Sequence, residues 1–380
     1  MTDPVYLDWN ATAVPRPESV AAVARAAARV GNPSSVHGPG RLARQTVEAA
    51  RAQVAAAVGA RPQEVIFLSG GTEANTLALR QPAWRSIVVS AVEHDSVRAA
   101  ADATGLPVHV VGVDENGVVR LDALAETLAD STPPVLVSLM LANNETGVIQ
   151  PVAEAARIAH AHGATVHCDA VQALGKIPVD RDGLDVDLMS LSAHKIGGPT
   201  GVGALVVRDG LAVQPAIVGG GQELGRRSGT ENGPGIAGFG VAAESAVAEL
   251  GDAGRLAALR DDLEARIARI APQTRFFSAR AERLANTSCL SMAGVPAETQ
   301  VMALDLAGVC VSSGSACSSG KVRASHVLAA VGAGDAEAGE AIRVSLGRTT
   351  TPGDIDRFVD AWSTLYERTA AKRGRPLEAV

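Results

Sequence analysis

The chain has 380 residues, 47% of them hydrophobic and 20% charged, which is enough for two hydrophobic cores and far from the composition of a disordered protein. A formal net charge of -7, with no run of Lys and Arg interleaved with aromatics, excludes the basic footprint of a nucleic-acid binder. Residues 1–6 lack a basic start followed by an apolar stretch, and the apolar run 135–142 is too short to span a bilayer, so a cytoplasmic protein with no membrane partner is expected.

In chain order, short apolar runs at 65–68, 87–90, 108–111, 135–139, 165–168, 188–190 and 203–207 read as buried strands, and Ala-rich stretches with helical spacing fill most of the gaps. Buried strands separated by helices predict an α/β domain with a mainly parallel, seven-stranded sheet covered on both faces. Ligands then gather at the carboxyl ends of the strands. After the glycine-rich passage 219–235 the character changes: one long helix is expected over 239–270, followed by strands at 288–291 and 341–346. The predicted division is a large domain over 16–250 and a smaller α+β domain made of 1–15 and 251–380, with the joint near Gly251.

Candidate site residues fall at strand ends. Leu68-Ser69-Gly70-Gly71-Thr72-Glu73-Ala74-Asn75 passes from a strand through two glycines into a helix start, where open N–H groups and the Thr72 hydroxyl suit a phosphate; a tight turn capped by Thr72 is the commoner use of such a segment. It is neither a Walker A loop nor a GxGxxG fingerprint. His94 follows the strand 87–90, on the same sheet edge, and is a structural histidine on its own but an acid–base group that can stack on a ring in suitable company. Asp169 closes the strand 165–168, with Gln172 shortly after; such a carboxylate either keeps a pyridine nitrogen protonated or caps a helix.

Only four lysines occur, at 176, 195, 321 and 372. A lone lysine is usually a solvated surface charge. Lys195, however, lies in Ser192-Ala193-His194-Lys195-Ile196-Gly197-Gly198, directly after an apolar strand, where a Schiff-base lysine is well placed. The four cysteines are scattered, with neither a disulfide framework nor a zinc spacing, so no metal site is expected. Cys168 reads as a packed small hydrophobe, and His160 and His162 as surface residues pointing apart on a helix. Cys317 sits in Ser312-Ser313-Gly314-Ser315-Ala316-Cys317-Ser318-Ser319-Gly320, which reads as a mobile arm where packing does not explain a cysteine. A model thiol is mostly protonated at neutral pH, so an attacking thiolate needs help from its site.

Together these segments resemble the class V aminotransferases of fold type I, and within them the cysteine desulfurases of the NifS/IscS type. The resemblance runs through nearly the whole chain: Tyr6-Leu7-Asp8, Gly31-Asn32-Pro33-Ser34-Ser35, residues 69–75, Glu93-His94, Asn143-Asn144-Glu145-Thr146-Gly147, residues 169–172 and 192–195, Arg227-Ser228-Gly229-Thr230 and Ile342-Arg343. It implies a fold-type I pyridoxal-phosphate transferase in which Lys195 binds the cofactor covalently, Asp169 holds the pyridine nitrogen and Gln172 bonds the ring hydroxyl. His94 and Val171 sandwich the ring. Gly71, Thr72, Ser192 and His194 hold the phosphate, joined by Thr230 of the other subunit, which implies a homodimer with shared sites. Asn144 and Arg343 match the ligands of the substrate carboxylate, for which a guanidinium is a bidentate clamp.

The Ser-Ser-Gly-Ser-Ala-Cys run marks the family's first group, in which the loop cysteine, here Cys317, carries a persulfide. The implied reaction converts L-cysteine to L-alanine and passes sulfur to an acceptor protein, a scaffold or carrier such as those of iron–sulfur cluster assembly. A selenocysteine lyase or a small-amino-acid aminotransferase of the same fold is the alternative, although transamination needs no mobile thiol. Three positions depart from the family pattern: Trp9, where a small or polar residue is commoner, Ala13, where a second threonine is usual, and Thr76, where asparagine is frequent. None carries an assigned chemical role.

Overall fold

The computed structural model describes residues 4–314 and 325–372. Strand β1 (Val5–Tyr6) leads into helices α1 (Pro17–Ala27) and α2 (Gly38–Ala56), each with a proline in its first turn, where the missing N–H breaks no helical hydrogen bond. An alternating series follows: β2 (Val65–Leu68), α3 (Gly71–Leu79), β3 (Ser86–Ser90), α4 (Asp95–Asp102), β4 (Val108–Val111), α5 (Leu121–Ala129), β5 (Val135–Met140), α6 (Val152–Ala161), β6 (Thr165–Asp169), β7 (Leu188–Ser192) and β8 (Gly203–Val207). Each of the seven apolar runs is a strand.

They form one sheet in the order β2-β8-β7-β6-β5-β3-β4, in which β8 runs antiparallel to both neighbours and the remaining pairs are parallel. The inner strands β3, β5, β7 and β8 are buried along their whole length, which is why they read as unbroken apolar runs. Edge strand β4 is different, and its Val110 is 62% exposed. Separate apolar clusters cover the two faces, one including Val54, Leu124, Ala156 and Phe239, the other Leu77, Trp84, Val97 and Leu205.

The rest of the chain comprises α7 (Gly233–Ala248), α8 (Ala253–Ile270), β9 (Thr287–Ser291), α9 (Ala297–Leu306), β10 (Val309–Cys310), β11 (Ser312–Ser313), α10 (His326–Ala330), α11 (Asp335–Gly339), β12 (Ala341–Ser345) and α12 (Pro352–Lys372). Strands β11, β12 and β9 make an antiparallel sheet, and β1 pairs in parallel with β10. Leu7, Leu263, Leu290, Ile342, Phe358 and Trp362 belong to a further core, so the amino-terminal segment packs with the carboxyl-terminal part. Among the described residues, no helix is long and apolar enough to cross a membrane.

The single helix expected over 239–270 is two. Helix α7 ends at Ala248, a turn at Leu250–Asp252 contains Gly251, and α8 starts at Ala253. Glycine is a poor helix former, and the two halves serve different cores: Phe239, Ala242 and Ala246 belong to the sheet core, Leu263 and Ile267 to the carboxyl-terminal one. His160 is also not a simple surface residue, because its ring lies 2.9 Å from Asp187 Oδ2 and 3.2 Å from Asp185 Oδ2. His162 is exposed, and Cys168 is fully buried with its thiol pushed well above the usual range by burial.

Trp9, the departure noted above, has a structural account. Its indole is buried, donates from Nε1 to the Tyr6 carbonyl at 3.1 Å, and lies over Gly347, where a Cβ would come within 1.8 Å of Trp9 Cδ2. Gly347→Ala is therefore expected to destabilise the protein by about 1–3 kcal/mol in urea unfolding, the usual cost of overpacking a core, and Trp9→Ala in the same chain should recover part of the loss. An unchanged unfolding midpoint would contradict this packing.

Candidate active site

A cavity of about 280 Å³ opens at the carboxyl ends of the parallel strands, and its lining includes Gly71, Thr72, His94, Asn144, Asp169, Val171, Gln172, Ser192, His194, Lys195 and Arg343. These come from the start of α3, the turns after β3, β5, β6 and β7, and strand β12. Residues far apart in sequence thus converge because the parallel strands end on one edge. Two expected site residues are not in this set. Thr230 is exposed and does not line the cavity, and Cys317 lies outside the described residues.

At the floor, Asp169 ends β6 and is buried. Its Oδ1 accepts from the Val171 backbone N–H at 3.0 Å and its Oδ2 from Asn75 Nδ2 at 2.8 Å. The turn that this first bond closes sets Val171 and Gln172 into the cavity. Asn75 Nδ2 also donates to Ser96 Oγ at 2.9 Å, and Ser96 Oγ lies 2.8 Å from His94 Nδ1. The Ser96 backbone N–H donates to the same Nδ1 at 3.0 Å, so in the neutral ring Nδ1 is the acceptor and Nε2 carries the proton. Asn75 and Ser96 therefore couple the ring orientation of His94 to Asp169. Neither is singled out by the sequence, where Asn75 closes a matched segment and Ser96 lies two residues beyond Glu93-His94.

Lys195 lies on the short turn Ala193–Ile196 that follows β7, and its Nζ donates to the carbonyls of Asn10 at 2.7 Å and Ala11 at 2.9 Å. Gly197, with φ +81°, ends this turn; a Cβ there would meet Arg16 Cγ at 2.8 Å and the Val14 carbonyl at 2.9 Å. Beside it, His194 is held near pKa 4, first by burial and then by the charge of Lys195, so its imidazole is neutral at physiological pH. Gly71 leaves room at the opposite wall, where a Cβ would lie 2.9 Å from Val171 Cγ2. Arg343 is buried, with Nη2 on Asp8 Oδ1 at 2.7 Å and Nη1 on the Asn144 carbonyl at 3.0 Å. Its Nε has no partner among the described residues.

Lys195 is not the sole lysine here. Lys176, passed over in the sequence, lies behind the cavity wall: its Nζ donates to Asn10 Oδ1 at 2.8 Å and to Gln172 Oε1 at 2.5 Å, and both of those residues line the cavity. Burial, followed by the positive charges of Lys195 and Arg343, holds its ammonium well below the usual lysine range.

Two buried carboxyl groups flank the cavity. Glu93 accepts from Ser90 Oγ at 2.6 Å and from the Met140 N–H at 2.9 Å, yet burial pushes it up to about 8. Glu145, bonded by Ser325 Oγ, is pushed up to about 7, again by burial. A carboxyl group whose folded-state pKa lies above its unfolded value favours the folded state at low pH, and that contribution is lost as pH rises from about 4.5 towards 8. Glu93→Gln removes this titration, so its stability relative to the parent protein should increase between pH 5 and pH 9 in urea unfolding. A difference that stays constant over that range would show that Glu93 is already ionised in the fold.

Residues 5–358 match the family model described as aminotransferase class-V. A cysteine desulfurase of Cereibacter sphaeroides is 46% identical over 378 residues, covering 97% of this chain and 97% of its own. Among solved structures, a NifS-like protein from Rickettsia africae superposes with a TM-score of 0.89 at 36% identity, covering 96% of this chain and 99% of its own. A structure of SspA in complex with cysteine matches with a TM-score of 0.77 at 28% identity, over 90% of this chain and 98% of that one. With this coverage and the strand-end cavity, the chain belongs to the aminotransferase class-V family and, within it, to the cysteine desulfurases, a pyridoxal-phosphate-dependent group.

Proposed function

We propose that this cysteine desulfurase binds pyridoxal phosphate on Lys195 in the strand-end cavity, takes L-cysteine as substrate and loads its sulfur on Cys317. The observation that carries the reading is the convergence of Lys195, Asp169, His94 and Arg343 on one cavity. The donor set fits the cofactor. Asp169 accepts hydrogen bonds from the neutral donors Asn75 and Val171, which leaves its charge available to a protonated pyridine nitrogen. Gly71, whose Cβ would press on Val171, leaves space at the amino terminus of α3, where Thr72, Ser192 and neutral His194 offer donors to a phosphate. When bound, pyridoxal phosphate supplies an electron sink that makes the substrate Cα proton acidic.

The chain's own residues do the rest. Arg343 and Asn144, both on the cavity lining, orient the substrate carboxylate, the guanidinium by its charge and N–H donors. Lys195 takes the proton from Cα, and His94, whose Nδ1 accepts from the Ser96 N–H, gives and takes protons at Nε2 beside it. The thiolate of Cys317 attacks the substrate sulfur, so that an S–S bond forms, the Cβ–S bond breaks and its electron pair stays with the carbon fragment that leaves as L-alanine. The sulfur then passes to an acceptor protein, a scaffold or carrier. The complex of the related SspA with cysteine supports the choice of substrate.

The same reading assigns a large domain to 16–250 and a small one to 1–15 and 251–380, supported by the separate apolar clusters of the two parts. Thr230, exposed and away from its own chain's cavity, serves the site of a second subunit in a homodimer.

Two variants test the assignment. Lys195→Ala should lose both the visible absorbance of the bound cofactor and alanine formation while keeping its fold. Cys317→Ser should keep the cofactor and still change its spectrum on addition of L-cysteine, yet form neither persulfide nor alanine, since a hydroxyl is no soft nucleophile at neutral pH. Undiminished alanine formation by Cys317→Ser would remove the loop thiol from the reaction.

A further inference from the structure

An amide side chain has two ends of nearly equal shape, one accepting and one donating, and only its partners decide which way it faces. In Gln172 both ends are decided. Lys176 Nζ donates to Oε1 at 2.5 Å, and the carbonyl on the other side of the amide can only accept, so it admits only the NH2 end. The opposite end, Nε2, donates to the Asn10 carbonyl at 2.8 Å. One N–H of Nε2 is thereby used, and the other is what Gln172 offers to the cavity it lines.

We propose that Lys176 is a positioning residue that holds Gln172 with its NH2 group, rather than its oxygen, turned to the cofactor cavity. The inference rests on the reading of Gln172 as the partner of the cofactor's ring hydroxyl. Asn10 completes the device: its carbonyl accepts from Lys195 at 2.7 Å and its Oδ1 from Lys176 at 2.8 Å, so both lysines and Gln172 are keyed to one residue. A flipped amide would turn an acceptor towards an oxygen and break its bond with the Asn10 carbonyl. The positive charges of Lys195 and Arg343 disfavour a further cation here, and Lys176 is kept in place by neutral oxygens of Asn10 and Gln172. Such an arrangement serves orientation better than charge.

The test is a double-mutant cycle read by cofactor binding. Full-length protein freed of cofactor is titrated with pyridoxal phosphate and followed by visible absorbance, in the parent, Gln172→Ala, Lys176→Met and the double variant. Each single variant should bind about tenfold more weakly, the size of one hydrogen bond, and the double variant no more weakly than either. Lys176→Arg, which keeps donors at this position, should retain most of the affinity. Unchanged binding in Lys176→Met, or losses that multiply in the double variant, would overturn the positioning role. Lys176→Gln, whose amide can offer either end to Gln172, runs through the same cycle if the methionine variant does not fold. A parent protein that binds no pyridoxal phosphate would instead overturn the reading of the whole site.

Discussion

Asn10 is 1% exposed, and its polar atoms bind partners on both parts of the chain. Its carbonyl accepts from Lys195 and Gln172, its Oδ1 from Lys176 and Asn286, its Nδ2 donates to Thr287 Oγ1 and the Asn144 carbonyl, and its N–H donates to Ser345 Oγ. Leaving any one of these groups buried and unpaired costs about 1–3 kcal/mol, so the set holds together or fails together. Because Asn10 follows β1, which pairs with β10, while Lys195 and Gln172 follow strands of the large sheet, this residue joins the two parts of the structure at the cavity. This wall of the cavity is then set by a connected hydrogen-bond network.

The same low-dielectric surroundings tune the groups around the cavity. Burial neutralises His194 and lifts Glu93 and Glu145, so these side chains avoid the charge they would carry in water, and it lowers Lys176 well below the usual lysine range. Arg343 binds Asp8 and the Asn144 carbonyl through its guanidinium. Ser325 bonds Glu145, and the His326 ring lies 2.9 Å from the Glu93 carbonyl. Ser325 and His326 thus rest on these two buried carboxyl residues, beside His94.

The inner strands were legible because they bury both faces and leave nearly continuous apolar runs; edge strand β4 was legible from its three valines, although His109 interrupts them. Lys195, Asp169, His94 and the Gly71-Thr72 turn were legible from strand-end placement, and the resemblance gave each a role. The long helix was misread because Gly251 alone does not say that α7 and α8 face different cores. Asn10, Asn75, Ser96 and Lys176 escaped notice for a related reason. Their importance lies in contacts between segments as distant as residue 10 and residue 286, and hydrogen bonds of that kind leave no periodicity in a sequence. Thr230 and Cys317 keep roles that rest on the resemblance.

The central claim is that substrate sulfur comes to rest on one cysteine of the protein while the carbon skeleton leaves as alanine. The direct measurement is a single turnover of the parent protein with L-cysteine, with alanine quantified and the four cysteine-containing regions mapped by mass spectrometry for added sulfur. The account predicts one alanine for each sulfur, with the added mass on the peptide containing Cys317 and none on Cys168, Cys289 or Cys310. Alanine released without protein-bound sulfur, or sulfur found on another cysteine, would contradict it.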